Sequence, residues 1–446
     1  MFHVKQTIFA LATAQGRAGV SIIRLSGPDA LTALKQLTNK AVTPRTAVFT
    51  SLTHEGDLID EAIVLWFKAP HSFTGEDCIE LHVHGSKAIL DRLYGVLTRL
   101  GLRLAEPGEF SRRALENGKL DLTQAEGIAD LVDAESEAQR RQALTQIGGG
   151  LKTQYEAWRT ALIDILARIE VFIDFPDEDL PTELADSILE RIADVEASLK
   201  LAIADSQRGC QIREGFRIVI LGEPNAGKSS LFNALLKVEA AIVTPIAGTT
   251  RDVIEAQLRI GAYSVLLYDT AGLRETEELV EREGVRRARA KGDEADLRLW
   301  VVDSSAAGFA GIDPRAGDLV VFNKIDQGSD KLYKSFVRSD VSRETQSLKV
   351  SASTGQGVPD LVAAIETVVT ERLSVQTFPA ATRARHVERL QEAADHLEQA
   401  QGTRMRVPEL TAEHVRASIN SFEALFGRYD VEGVLDVVFS TFCIGK

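Results

Sequence analysis

The chain has 446 residues, enough for two to four domains with cores of their own. Its 44% hydrophobic and 26% charged residues are ordinary for a globular protein, and its net charge of -14 works against indiscriminate binding to nucleic acid or anionic membrane, so any RNA contact must use a local basic face. Three widely spaced cysteines, Cys78, Cys210 and Cys443, argue against a disulfide scaffold and for a reducing, cytoplasmic setting, and nothing approaches the ~20 apolar residues of a membrane span.

The opening "MFHVKQTIFALATAQG" imitates a secretory signal, but its apolar core is short and it reads as a first β-strand. Residues 1–118 alternate β-rich runs such as "GVSIIRLSG" with amphipathic segments such as "KAILDRLYGVLTRLG", the pattern of an α+β domain. Cys78, His82 and His84 fall on one side of a predicted strand, yet no fourth ligand stands at the usual spacing, so a metal site there is not expected. From 119 to 214 the pattern is helical: Trp158, Leu162, Ile165, Ile169 and Phe172 form one stripe, and Ile188, Ile192, Val195 and Leu199 another, with "DFPDEDLP" as a solvated break between them. Residues 215–372 return to alternating strands and helices, beginning with the buried strand "FRIVILG". Residues 373–446 are helical again, with Val387, Leu390, Ala394 and Leu397 on one face, and end in "TFCIGK". An α/β nucleotide-type domain inserted into an α-helical one, preceded by the α+β domain, is the predicted architecture.

The stretch "GEPNAGKSS" joins a strand to a helix and holds G-x-x-x-x-G-K-S. Its glycines let backbone amides wrap phosphate; Lys228 reaches the β and γ phosphates, and the Ser229 hydroxyl ligates magnesium. "AGTTRD" offers Thr250 as a second magnesium hydroxyl, and "YDTAG" offers Asp269 for a magnesium-bound water and the Gly272 amide for the γ phosphate. "NKID" supplies Asn323, Lys324 and Asp326; the carboxylate accepts two hydrogens from the guanine edge, which adenine lacks. "VSAS" places the Ala352 amide at the guanine oxygen, with Ser353 standing where many GTPases carry Lys. The predicted GTP-binding set is Asn225, Ala226, Gly227, Lys228, Ser229 and Ser230; Thr244, Pro245, Ile246, Ala247, Gly248, Thr249 and Thr250; Asp269, Thr270, Ala271 and Gly272; Asn323, Lys324 and Asp326; and Ser351, Ala352 and Ser353. Small signalling GTPases follow "DTAG" with a water-orienting Gln; here Leu273 stands there, so hydrolysis needs another polar group. The stretch "REGVRRARAKG" is the most basic local patch, balanced by the preceding "EELVERE".

Read together, "TPIAGTTRD", "DTAGLRETEELVEREG", "SFTGEDCIELHVHG", "PGEFSRRALENGKLDLTQAEGIADL" and the final "FCIGK" resemble the MnmE (TrmE) family of tRNA modification GTPases over essentially the whole chain. The resemblance implies activation by potassium and by pairing of two GTPase domains, with Asn225, Thr244, Ile246 and Thr249 as potassium ligands and Glu281 as the catalytic acid that orients water. It implies an N-terminal domain that dimerises and binds 5-formyltetrahydrofolate through Arg24, Glu80 and Lys119, with Lys446 beside the one-carbon donor. Taken alone, Arg24, Glu80 and Lys119 each read more simply as a surface ion pair. The family acts with the flavoprotein MnmG (GidA), which carries FAD and NADH, in a heterotetramer or larger assembly. Together they place a carboxymethylaminomethyl or aminomethyl group on the wobble uridine of certain tRNAs. Cys443 is implied to be catalytic, as acid, nucleophile or support; a prenylation box is a poor match because Gly445 is not aliphatic and the chain ends in Lys446. The rival reading is a regulatory or ribosome-assembly GTPase that modifies nothing; the nucleotide motifs fit both.

Overall fold

The structure is a computed structural model that describes residues 6–175, 181–238, 254–269, 293–306, 313–327, 331–337, 345–374, 378–428, 432–440, 442, 444 and 445. It divides into two compact units, one of residues 1–132, 146–195 and 392–446, the other of residues 133–145 and 196–391.

In the first unit, strands β1 (Ile8–Leu11), β2 (Ala18–Ser26), β3 (Val48–His54), β4 (Asp57–Phe67), β5 (Cys78–Gly85) and β6 (Arg103–Leu104) form a sheet in the order β3-β4-β5-β2-β1-β6. The opening apolar stretch is thus a strand, as its short length requires. All pairings are antiparallel except β1 with β6. The period of two along "CIELHVHG" decides the faces: Ile79, Leu81 and Val83 join Ile23 and Leu25 in the core, beneath helices Ala30–Leu37 and Lys87–Arg99. The alternate residues, Glu80 and His82, share the other face with Arg24 and Ile22, their direct antiparallel partners. Farther along, helix Gly150–Asp174 packs on helix Pro408–Phe426. The predicted stripe supplies that contact: Trp158, Leu162, Ile165 and Ile169 are buried, and the Tyr155 and Trp158 rings stack at 6.1 Å and meet Phe422. Phe172, one turn from the helix end, is only half-buried.

The second unit holds β7 (Phe216–Gly222), β8 (Ile254–Ile260), β9 (Tyr263–Asp269), β10 (Leu297–Asp303), β11 (Leu319–Asn323) and β12 (Gln346–Lys349), in the order β12-β11-β10-β7-β9-β8. Every pairing is parallel except the hairpin of β8 with β9. Both faces of a parallel sheet are covered, which is why "IVIL" and "LVVF" are continuous apolar runs rather than alternating ones. β7 and β10 are adjacent although β8 and β9 intervene in sequence, so a crevice opens beyond their carboxyl ends, where ligands of such sheets bind. This sheet order with one antiparallel edge strand is that of a P-loop GTPase domain. Among the described residues no helix is long and apolar enough to cross a membrane.

Candidate functional site

The phosphate loop follows β7 at the carboxyl end of the sheet. Gly222 has φ +147°, and a Cβ there would stand 2.2 Å from the Val301 carbonyl oxygen of β10, so only glycine lets the chain leave the sheet so closely. Asn225 and Gly227 also have positive φ, +62° and +91°. Helix Lys228–Val238 starts at once, directing its first amides at the loop, with Ser229 and Ser230 exposed in its first turn. The Lys228 ammonium donates to the carbonyls of Gly222 and Glu223, both at 2.9 Å. Burial lowers its pKa, partly offset by the charge of Asp269, which ends β9 beside Ile220 of β7. A phosphate reaching the loop would therefore exchange two neutral acceptors for a charged one.

The base-side residues cross-tie this loop. Asn323, buried at the end of β11, donates from Nδ2 to the Ala226 carbonyl at 3.0 Å, and its Oδ1 accepts from the Ala352 amide at 3.0 Å. One side chain thus joins the phosphate loop to the "SAS" loop. Lys324, at φ +60°, donates from Nζ to the Asn225 carbonyl and to Asp303 Oδ2, each at 2.7 Å. Asp326 is solvent-facing and accepts from the Ser351 hydroxyl at 2.6 Å and from Ser353 at 3.4 Å. The Ser351 bond, above all, holds its pKa below the usual carboxylate value. An ionised acceptor fits the two-hydrogen edge of guanine. Asp303 is absent from the motif reading: it ends "LRLWVVD", and nothing within that string points to a lysine 21 residues on.

A second constellation lies on the polar face of the first unit. Arg24 donates to Glu80 Oε1 from Nε at 3.1 Å and from Nη2 at 2.9 Å. Its guanidinium also lies 5.6 Å from the Phe73 ring and 5.8 Å from that of Phe110. Glu80 Oε2 faces His82 Nε2 at 3.5 Å. The Lys119 stem runs beside Gly75, two residues from Phe73 in sequence; a Cβ at Gly75 would come within 3.0 Å of Lys119 Cε. The end of the chain reaches this face: Ile444 bridges Pro107, and the Gly445 carbonyl stands 3.4 Å from Arg24 Nη1. Gly445 has φ +99°, and a Cβ on it would meet the Leu11 carbonyl oxygen at 2.1 Å. Cys78, His82 and His84 have separate partners: Cys78 lies against the Thr74 and Ser26 hydroxyls, His82 against Glu80, and His84 Nδ1 against Asp60 at 2.8 Å.

Several predicted site residues lie outside the described residues: Thr244, Pro245, Ile246, Ala247, Gly248, Thr249, Thr250, Thr270, Ala271, Gly272, Glu281, Cys443 and Lys446, with Leu273 and the basic stretch 282–292.

With this geometry in place, comparison with known proteins is specific. A family model described as the GTP-binding protein TrmE N-terminus matches residues 7–119, and one described as the MnmE helical domain matches residues 122–443. The chain is 49% identical over 443 residues to the tRNA modification GTPase MnmE of Caulobacter vibrioides, covering 99% of each chain. It is 47% identical over 451 residues to the protein of that description from Phenylobacterium zucineum, covering 99% of this chain and 100% of the relative. For the one from Maricaulis maris the identity is 46% over 448 residues, with 99% of each chain covered.

Proposed function

The chain belongs to the MnmE family of tRNA modification GTPases, and from that premise we propose that it is a GTP hydrolase, activated by potassium, that works with MnmG (GidA) on the wobble uridine of certain tRNAs. The product is a 5-carboxymethylaminomethyl or aminomethyl uridine, and the one-carbon unit comes from 5-formyltetrahydrofolate. It acts in the cytoplasm as a homodimer assembled with MnmG, whose FAD and NADH supply the redox step. The domains are 1–118 for folate and dimerisation, 119–214 and 373–446 for the helical domain, and 215–372 for the GTPase.

On this reading Asp326 selects guanine, Lys228 and the loop amides hold the phosphates, and Ser229 with Thr250 holds magnesium. Asn225 is the cation ligand of the phosphate loop: Lys324 engages its carbonyl, and the residue itself is exposed at the loop. A bound potassium supplies positive charge where phosphate charge develops, the role an arginine finger plays elsewhere. Glu281 then orients the water that Leu273 cannot.

The observation that carries the modification reading is the tail: Gly445 lies against Leu11 and Arg24, beside Glu80, on a face floored by Phe73 and Phe110. The half-buried Phe73 ring, a guanidinium and a carboxylate acceptor suit a flat heterocycle with an amine edge, while the fully buried Phe110 backs the guanidinium. Cys443 and Lys446 are two residues and one residue from Gly445 in sequence, and on this reading both serve the same chemistry. Calorimetric titration with 5-formyltetrahydrofolate tests this. Wild type should bind and Glu80→Gln should bind at least about tenfold more weakly, through loss of a charged acceptor. Absence of binding by wild type would remove the one-carbon chemistry from this face.

A further inference from the structure

We infer that Asp303, at the end of β10, is a positioning residue for guanine nucleotide, acting through Lys324 on the backbone of the phosphate loop. The inference rests on the reading of Lys324 and of the loop around Asn225 as part of the nucleotide site.

The parallel register sets Asp303 directly beside Asn323 on the neighbouring strand, so its carboxylate reaches the residue that follows. Its two oxygens are divided. Oδ1 accepts from the Ser305 amide at 2.8 Å and the Ser305 hydroxyl at 2.6 Å, which fixes the plane of the carboxylate. Oδ2 accepts from Lys324 Nζ at 2.7 Å. Burial opposes the charge on Asp303, but the bonds from Lys324 and Ser305 outweigh it and hold its pKa below the usual value.

Lys324 passes this constraint on. The same Nζ donates to the Asn225 carbonyl at 2.7 Å, and Asn323 ties the next carbonyl, that of Ala226. Two consecutive residues of β11 and its exit therefore pin two consecutive carbonyls of the phosphate loop. Asn225 and Lys324 both hold a left-handed backbone, φ +62° and +60°; asparagine enters that region readily, whereas for Lys324 it is uncommon enough to need enforcement by its surroundings. The Asp303–Lys324–Asn225 chain is such an enforcement. It fixes the lysine stem on the base side and the loop carbonyl on the phosphate side in one stroke. Removing the carboxylate leaves a half-exposed ammonium with one neutral acceptor, and the loop loses its charge-anchored tie.

The test is a double-mutant cycle on the full chain, read by the dissociation constant of a fluorescent N-methylanthraniloyl GDP and by steady-state GTP hydrolysis. Asp303→Ala should weaken binding roughly tenfold, the scale of one partly exposed charged hydrogen bond. It should raise KM for GTP while kcat changes less than about twofold, because Asp303 touches no reacting atom. In a Lys324→Ala background, the further loss on removing Asp303 should be under about twofold. Asp303→Asn keeps an oxygen that can accept from Lys324 and should lie between Asp303→Ala and wild type, which guards against a merely unfolded variant. Wild-type binding by Asp303→Ala overturns the proposal and leaves the nucleotide site standing. Equal losses in both backgrounds also overturn it, since Asp303 would then act on the fold at large. If Lys324→Ala itself binds as wild type does, the proposal and the assignment of Lys324 fall together.

Discussion

Substituting Gly445 by alanine isolates the seating of the tail from every other part of the molecule. The residue lies at φ +99°, where an L side chain costs about 1–2 kcal/mol. The new Cβ would stand 2.1 Å from the Leu11 carbonyl oxygen, which belongs to the sheet and cannot retreat. The tail must shift instead, and with it go the Pro107–Ile444 bridge and the contact of the Gly445 carbonyl with Arg24. Adding about 1 kcal/mol for those weak bonds gives a total near 2–3 kcal/mol against the docked tail. That corresponds to roughly a 30- to 150-fold shift toward the undocked state. The assay pairs two readouts on the same preparation: GTP hydrolysis, and wobble-uridine modification when the variant is the cell's only copy. Hydrolysis should stay within about twofold of wild type, while modification falls at least tenfold. Full modification by the alanine variant would refute the claim that the tail acts where it is seated.

Gly227→Ala tests the cross-tie in the nucleotide site. A Cβ there would lie 2.2 Å from Asn323 Nδ2, breaking the bond to Ala226, so GDP binding should weaken by one to two orders of magnitude, measured by fluorescence titration; unchanged affinity would show that Asn323 does not organise the loop. Replacing potassium by sodium should depress GTP hydrolysis by tenfold or more in steady-state assays, and equal rates in the two salts would release Asn225 from its cation role.

What the sequence discloses follows the range of the chemistry. The phosphate loop is legible because its glycines, Lys228 and Ser229 crowd into eight consecutive positions between a strand and a helix, and local backbone geometry does the rest. Trp158, Leu162, Ile165 and Ile169 are likewise legible as a buried stripe, since helical spacing alone puts them on one face. Arg24 and Glu80 are different: 56 residues separate them, and only strand register makes them partners. Their role could be named from resemblance but not from local pattern. Asp303 escaped both routes, since its partner Lys324 lies on a neighbouring strand's exit and a single acid at a strand end has no distinguishing neighbours in sequence. Asn323 stands in a base-recognising motif, and nothing in that motif announces that both ends of its amide also join two loops. Periodicity also cannot say which body a helix packs on. Helix Glu137–Ile147 begins in the second unit, where the Gln139 and Gln142 side chains donate to the Arg213 and Gly209 carbonyls, and ends in the first.

The central claim is that GTP hydrolysis in this chain serves chemistry on tRNA. It is tested most directly by nucleoside analysis of tRNA from cells lacking the gene and carrying either the wild-type chain or Cys443→Ser. The wild-type chain should restore the carboxymethylaminomethyl or aminomethyl wobble uridine, and Cys443→Ser should fail to restore it while hydrolysing GTP normally. Persistence of the modified uridine in the cells without the gene would contradict the account and leave a GTPase switch that modifies nothing.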